Sequence, residues 1–357
     1  MMKRTLRWIT CACALPALAL LALPGLAETP CAGNFCWVQR GFAGQEFTSL
    51  LSPPGQPCLV AWTALNNGGL GVSTDCGAQF ANLFIGNAYD VTARDTNTGY
   101  VAGGTNGVLK TKDTGSQWFQ INDGLPPSHD ARAVLLHVAH PESLFTALHG
   151  GGVFYAGPKA GGGADSLMQW TAMNEGLLDL NVRCLARVRG GTFFLAGADG
   201  GIWRRANNTW SLTGAGIVAN AIVIDAADSS QAWAATENGV YRSLNQGMSW
   251  SPSSTGLPAG LAVNDVARRT DGSAVVYAGT RGQGVWESVD SGAHWVPFGP
   301  PLPGDNDVRA VLAVVGASQA DSAHVFAGTR ADGLFENGYS TPATRTTWGQ
   351  VKDKYRK

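Results

Sequence analysis

The sequence predicts an all-β fold, a single seven-bladed β-propeller whose blades are four-stranded sheets. Three observations predict it. Of 357 residues, 47 are glycine, 12 are tryptophan and 14% are charged, against about 7% glycine and about 25% charge in an average soluble domain. An eight-residue box, Ser/Thr-x-Asp-x-Gly-x-x-Trp, recurs along the chain. A hairpin and an apolar strand recur before it, in units of about 44 residues, the length of four short strands with their turns. So much glycine weakens helices and argues against a bundle. The net charge of -1 excludes a chain-wide basic nucleic-acid footprint and charge-driven disorder.

Residues 1–27 read as an address. Lys3, Arg4 and Arg7 precede the apolar run Trp8 to Leu23, and Pro24-Gly25-Leu26-Ala27 ends it with small residues where a signal peptidase cuts. Cleavage after Ala27 is expected, ahead of an uncleaved anchor; no lipobox precedes Cys31. No later stretch is apolar enough to span a bilayer. The expected mature chain, 28–357, has a net charge of -4 and a periplasmic or secreted location. Its propeller core runs over 37–351, and the basic tail Lys352–Lys357 reads as a solvated end.

Cysteine use agrees with export. With Asn66-Asn67-Gly68 as a hairpin tip, Cys58 and Cys76 face each other across two strands and can pair. Cys31 and Cys36 can close a small ring, and Cys184 reads as a buried, inert thiol.

The box is complete at Thr111-Lys-Asp113-Thr-Gly115-Ser-Gln-Trp118 and Ser288-Val-Asp290-Ser-Gly292-Ala-His-Trp295. Near copies are Ser243-Leu-Asn245-Gln-Gly247-Met-Ser-Trp250 and Ser73-Thr-Asp75-Cys-Gly77-Ala-Gln-Phe80. This is turn chemistry. The Asp or Asn accepts backbone N–H groups, the glycine supplies positive φ, and the hydroxyl ties the turn from the other side. The tryptophan then opens the next strand with a large apolar face. These acids are structural rather than catalytic. The preceding hairpins include Tyr100 to Leu109, Trp233 to Tyr241, Tyr277 to Trp286 and Phe326 to Phe335, with weaker copies at Phe145 to Phe154, Phe194 to Trp203 and Val60 to Val72. The inner strands are Phe47–Leu51, Tyr89–Ala93, Arg132–Val138, Arg183–Val188, Asn220–Ile224, Asn264–Ala267 and Arg309–Val315. Units three, four and seven lack the box, and long insertions at Lys159–Ala164 and Asn337–Arg345 stretch two of them. Trp37-Val38-Gln39 and Trp348-Gly349-Gln350-Val351 compete to close the last blade. Trp348 is the expected closing residue, with Trp37 added at the edge.

Across 37–351 these boxes resemble the BNR, or Asp-box, repeat family of the sialidase-like superfamily. The resemblance implies Asp-box blades and is unspecific for activity. Members include sialidases, xyloglucan-cleaving endoglucanases, sortilin-like receptor domains and photosystem II stability and assembly factors; the last are similar in size and export. The early Arg-Ile-Pro motif of sialidases is absent. Three arginines nevertheless recur in one column: Arg132, Arg183 and Arg309 open inner strands three, four and seven, with Asn220 and Asn264 in units five and six. In such propellers this end of the inner strand lines a mouth of the central channel. Arg281 and Arg330 sit on hairpin tips there. A basic ring there would hold carboxylates or other anions by forked hydrogen bonds; the alternative is that the arginines pack their stems along the channel and bond backbone carbonyls.

Hydrolysis would need two carboxylates across the bond. Glu46, Asp90, Asp130, Glu237, Asp265 and Asp332 are placed for it, and no pair carries a signature. There is no phosphate loop, Gly-x-Ser-x-Gly elbow, His-Glu-x-x-His or Cys-x-x-Cys, and His137 with His140 is a poor metal pair. The expectation is a monomeric, non-catalytic scaffold without metal or cofactor. Its partner would be an extracytoplasmic protein or anionic carbohydrate, not nucleic acid; a glycoside hydrolase or a lectin-like binder is the alternative.

Overall fold

A computed structural model describes residues 36–52, 60–64, 69–73, 81–84, 86–95, 97–137, 143–157, 169–187, 193–269, 271–314 and 324–338. The leader, Cys31, Cys58, Cys76, Asp75, Gly77 and Trp348 lie outside the described residues. So does the tail. Cys36 is described only as the first residue of a strand.

The described strands form four-stranded antiparallel sheets around a central axis, an all-β propeller. Six sheets are each built from four consecutive strands, and a seventh is composite. Their innermost strands are Phe47–Leu51, Asp90–Ala93, Ala131–Leu136, Val182–Ala186, Ala219–Ile224, Val263–Arg268 and Val308–Val314, blades 1 to 7 in chain order. Each touches the next, and the last touches the first. The core lies between blades, where valine, alanine and aromatic side chains of facing sheets are fully buried. Small residues at Ala102, Ala147, Ala196, Ala235 and Ala278 let the wedge-shaped sheets approach near the axis.

Ring closure departs from expectation. Blade 7 takes Cys36–Gly41 as its outermost strand, with Trp37 opposite Asn337 and Gln39 opposite Phe335. Trp37 therefore occupies the closing position expected of Trp348. The reason is a socket that Trp37 fills. Its ring meets Phe298 edge-on at 5.9 Å, and its Nε1 donates to the Pro300 carbonyl at 3.1 Å. Trp210 and Trp295 make the same kind of bond to Met173 O at 2.6 Å and Ser253 O at 2.7 Å, and Trp170 bonds Ile121 O likewise.

The box turns follow one design. In blade 6 the Ser288 hydroxyl donates to Asp290 Oδ1 at 2.8 Å and accepts Gly292 N at 2.7 Å, while Asp290 Oδ1 also accepts His294 N at 2.8 Å. Thr111–Asp113–Gly115 and Ser243–Asn245–Gly247 repeat it. Asp290 is held down to about 2, first by the His294 backbone N–H. In each turn the acid or amide oxygen reaches the N–H four residues on. The residue before each glycine is also left-handed: Thr114, Gln246 and Ser291 have φ of 59°, 61° and 59°. Trp118 and Trp250 are only half-buried, and the Trp118 indole bonds its own turn at Gly115 O.

A second junction carries no mark in the box pattern. The loops leaving blades 2, 3 and 5 read Asn122-Asp-Gly124-Leu-Pro126, Asn174-Glu-Gly176-Leu-Leu178 and Ser254-Thr-Gly256-Leu-Pro258. Carbonyls of Asp123, Glu175 and Thr255 accept the backbone N–H of the next blade's Trp170, Trp210 and Trp295, each at 2.8 Å. Gly124, Gly176 and Gly256 have φ of 91°, 81° and 96°, and a Cβ there would land on the carbonyl oxygen of that same tryptophan.

Candidate functional site

One channel mouth opens as a cavity of about 500 Å³. It is built by a repeated backbone irregularity. In six blades the pairing of the innermost strand skips one residue: Thr48, Arg132, Arg183, Asn220, Asn264 and Arg309. Such a bulge re-aims the extra side chain, and all six line the mouth. Blade 2 has no bulge and contributes Tyr89, the residue before its inner strand. The arginine and asparagine column is therefore one structural position. Hairpin tips supply a second tier, His149, Glu237 and Arg281. Arg330, on the equivalent tip of blade 7, does not line the cavity; it is exposed, and its backbone N–H donates to Asp307 O at 2.9 Å.

The charge balance corrects the expected basic ring, because each mouth arginine meets an acid. Arg132 Nη2 lies 2.6 Å from Asp130 and Arg183 Nε 2.6 Å from Asp199. Arg309 Nη2 is 3.0 Å from Asp307 and 3.9 Å from Glu46. Arg281 forks onto Glu237 of the neighbouring tip at 2.8 and 2.9 Å. The acids orient the guanidinium groups without using all of their donors. Arg132 Nε and Arg309 Nε are buried without a hydrogen-bond partner, and Arg132 lies 4.0 Å over the Tyr89 ring. Asn220 and Asn264 are committed to the scaffold: their amides donate to Val263 O at 3.0 Å and Val308 O at 2.8 Å, one blade on.

Below the mouth, a narrower cavity of about 320 Å³ holds two of the acids considered for hydrolysis. Asp90 accepts Ser49 Oγ at 2.9 Å, Val91 N at 2.9 Å and Val134 N at 3.0 Å. Asp265 accepts Val266 N and Val311 N, both at 2.8 Å. These bonds tie blade 2 to blade 3 and blade 6 to blade 7. Burial pushes Asp90 up to about 6 and Asp265 to about 7, against the bonds that favour their ionised forms. Cys184, beside them, is the free thiol foreseen as inert; burial pushes it up to about 12. Glu46 and Glu237 line the mouth itself, Asp130 is held by Arg132, and Asp332 bonds the 304–305 turn. Sequence reasoning missed His149, whose signal was its place in the tip column with Glu237 and Arg281. Among the described residues no cluster of His, Cys, Asp and Glu is suited to a metal, and no helix is long and apolar enough to cross a membrane.

No protein-family model matches the chain, and no curated protein does. Solved structures share its fold. YCF48 from Cyanidioschyzon merolae is 14% identical over 86% of this chain and 99% of its own, with a TM-score of 0.59. YCF48 bound to D1 peptide superposes equally, at 14% identity and a TM-score of 0.59 over 86% of this chain and 97% of that one. The extracellular domain of the putative hybrid two component system BT4673 from B. thetaiotaomicron gives 14% identity and a TM-score of 0.62, over 85% of this chain and 39% of that one. The GH74 enzyme of Niastella koreensis gives 15% and 0.58, over 85% and 44%. At such identities the likeness extends to the fold alone.

Proposed function

We propose that this chain is an exported, seven-bladed Asp-box propeller that works as a non-catalytic binding or assembly scaffold. Its channel mouth would hold an extracytoplasmic protein, or another anionic ligand, outside the cytoplasm. The observation that carries the reading is the set of bulge arginines, Arg132, Arg183 and Arg309, each oriented by its own blade's aspartate with donors left over. A preoriented guanidinium takes a carboxylate at lower entropic cost than a mobile one. A propeller of this fold does bind a peptide: YCF48 is found bound to D1 peptide.

Chemistry in the mouth would need carboxyl groups free of partners. Glu237 is forked by Arg281 and Asp130 is gripped by Arg132, so neither carboxylate is free to face a substrate. Asp90 and Asp265 have raised pKa values of the kind catalysis uses, yet both oxygens of each carboxyl are occupied by bonds from the scaffold.

The test is a paired capture from envelope extract with wild type and the Arg132→Gln/Arg183→Gln/Arg309→Gln variant. A protein held by wild type and lost by the variant is expected. Retained or shortened glycan would move the assignment to the carbohydrate readings. Equal retention by both would remove the arginine mouth from the mechanism.

A further inference from the structure

The exit loop between blades 3 and 4 lacks the proline that three other exit loops carry after their leucine. After the turn that they share, the loops of blades 2 and 5 continue Leu125-Pro126 and Leu257-Pro258, and the blade 6 loop reads Leu302-Pro303. The blade 3 loop reads Leu177-Leu178. Leu177 is buried like Leu257 and Leu302, but Leu178 is 87% exposed, and Leu180 is 38% exposed. A proline at this place stiffens a turn that must not continue; a leucine in water does nothing for the fold.

The loop is nonetheless rigidly held. Asp179 Oδ1 accepts Asn181 N at 3.0 Å, its Oδ2 accepts Gly200 N at 2.5 Å, and Leu180 O accepts Gly152 N at 2.9 Å. It is thereby bonded to the hairpin tips of both blades it joins. Asp199, next to Gly200, is the acid that grips Arg183 Nε. Two exposed leucines and a guanidinium with unspent donors therefore belong to one braced segment, which reaches the mouth at Arg183.

We propose that this rim docks an extended polypeptide segment carrying a large apolar side chain within three residues of a carboxylate. The apolar group would rest on Leu178 and Leu180, and the carboxylate on the outer edge of Arg183. This rests on the mouth reading and narrows it to a peptide partner. Leucine side chains offer nothing to a polyol, whereas an extended peptide sets alternate side chains on one face roughly 7 Å apart. The braced loop needs little further ordering on binding.

The test is selection of a displayed random dodecapeptide library on the purified protein. Enriched peptides would be synthesised and titrated by fluorescence anisotropy against wild type, Leu178→Asp, Leu178→Pro and Arg183→Gln, with melting curves for all four. Expected are peptides with a Leu, Ile, Met or Phe within three positions of an acid or the C-terminus. Their Kd should rise about tenfold or more in Leu178→Asp and in Arg183→Gln, a loss of about 1.4 kcal/mol or more, and severalfold in Leu178→Pro. Affinity lost in Arg183→Gln but unchanged in Leu178→Asp would overturn the rim and leave the mouth reading standing. No enrichment, enrichment without the acid–apolar pair, or indifference to Arg183→Gln would overturn the proposal too.

Discussion

Asp90 and Asp265 spend both carboxyl oxygens on bonds within and between blades, in a place where charge is costly. In the unfolded chain each returns to about 3.8; in the fold Asp265 sits near 7 and Asp90 near 6. Folding therefore takes up protons between those values. Their contribution to stability is full below about pH 3.8 and is lost as pH rises through about 6 to 7. Urea midpoints measured at pH 5, 6, 7 and 8 should fall along this series, and Asp265→Asn should flatten the upper part of the decline. An unchanged slope in that variant would remove Asp265 as its source. The glycines of the exit loops give a second prediction at this scale. Gly256→Ala puts a methyl group on the Trp295 carbonyl at φ +96°, and should cost about 1–3 kcal/mol in denaturant titration. Gly260→Ala meets open space and, although its φ of +70° also disfavours a side chain, should cost less.

Among the elements, the closing tryptophan is the joint between neighbouring blades. Its backbone N–H and indole N–H both donate to the previous blade's exit segment, at Thr255 O and Ser253 O for Trp295. Trp295→Phe keeps most of the buried ring and loses one donor, leaving the Ser253 carbonyl short of its partner. A loss of about 1–3 kcal/mol is expected, and Trp295→Ala should cost about 3–5 kcal/mol. Inner strands and box turns were legible in the sequence because apolar runs and Gly-Asp punctuation are local signals. The column was legible because arginine or asparagine stands at the same place in five inner strands, at Arg132, Arg183, Asn220, Asn264 and Arg309. Its neutralisation was local at two places, where Asp130 and Asp307 stand two residues before Arg132 and Arg309, and hidden at the others: Asp199 lies 16 residues from Arg183, and Glu237 lies 44 from the tip residue Arg281. The second distance is one blade length, so the pair exists only once the ring has turned. The exit loops were overlooked because Asn-Asp-Gly-Leu-Pro has the composition of any loop, and only its bond to the next tryptophan reveals a joint. Closure was misread for a sharper reason: two segments offer the same tryptophan-led strand, and the ring takes the one at Trp37.

At the scale of the molecule, the described strands join the first and last parts of the ring by pairing within blade 7. Arg40 Nη2 reaches Glu336 at 2.5 Å, and His324 Nδ1 meets the same carboxylate, which is 6% exposed. Trp37→Ala should therefore loosen more than one blade. We expect a cost of about 3–5 kcal/mol and new proteolytic cleavage on both sides of the junction, within blades 1 and 7. Cleavage confined to residues 36–41, with the other blades still protected, would show that the ring holds without its clasp.

The clasp also has a direction. Cys36 lies opposite Gly338, so both strands enter the pairing from the same end. Tension that drew these two residues apart would load one rung of the ladder at a time, as in opening a zip, rather than shearing all rungs at once. The propeller would then be pulled open at one seam. In a force-clamp experiment gripping the chain at residues 36 and 338, the first extension should be short and should occur at low load. It should release only the outer strand of blade 7, and a sharper rise in resistance should follow as the remaining blades come under strain.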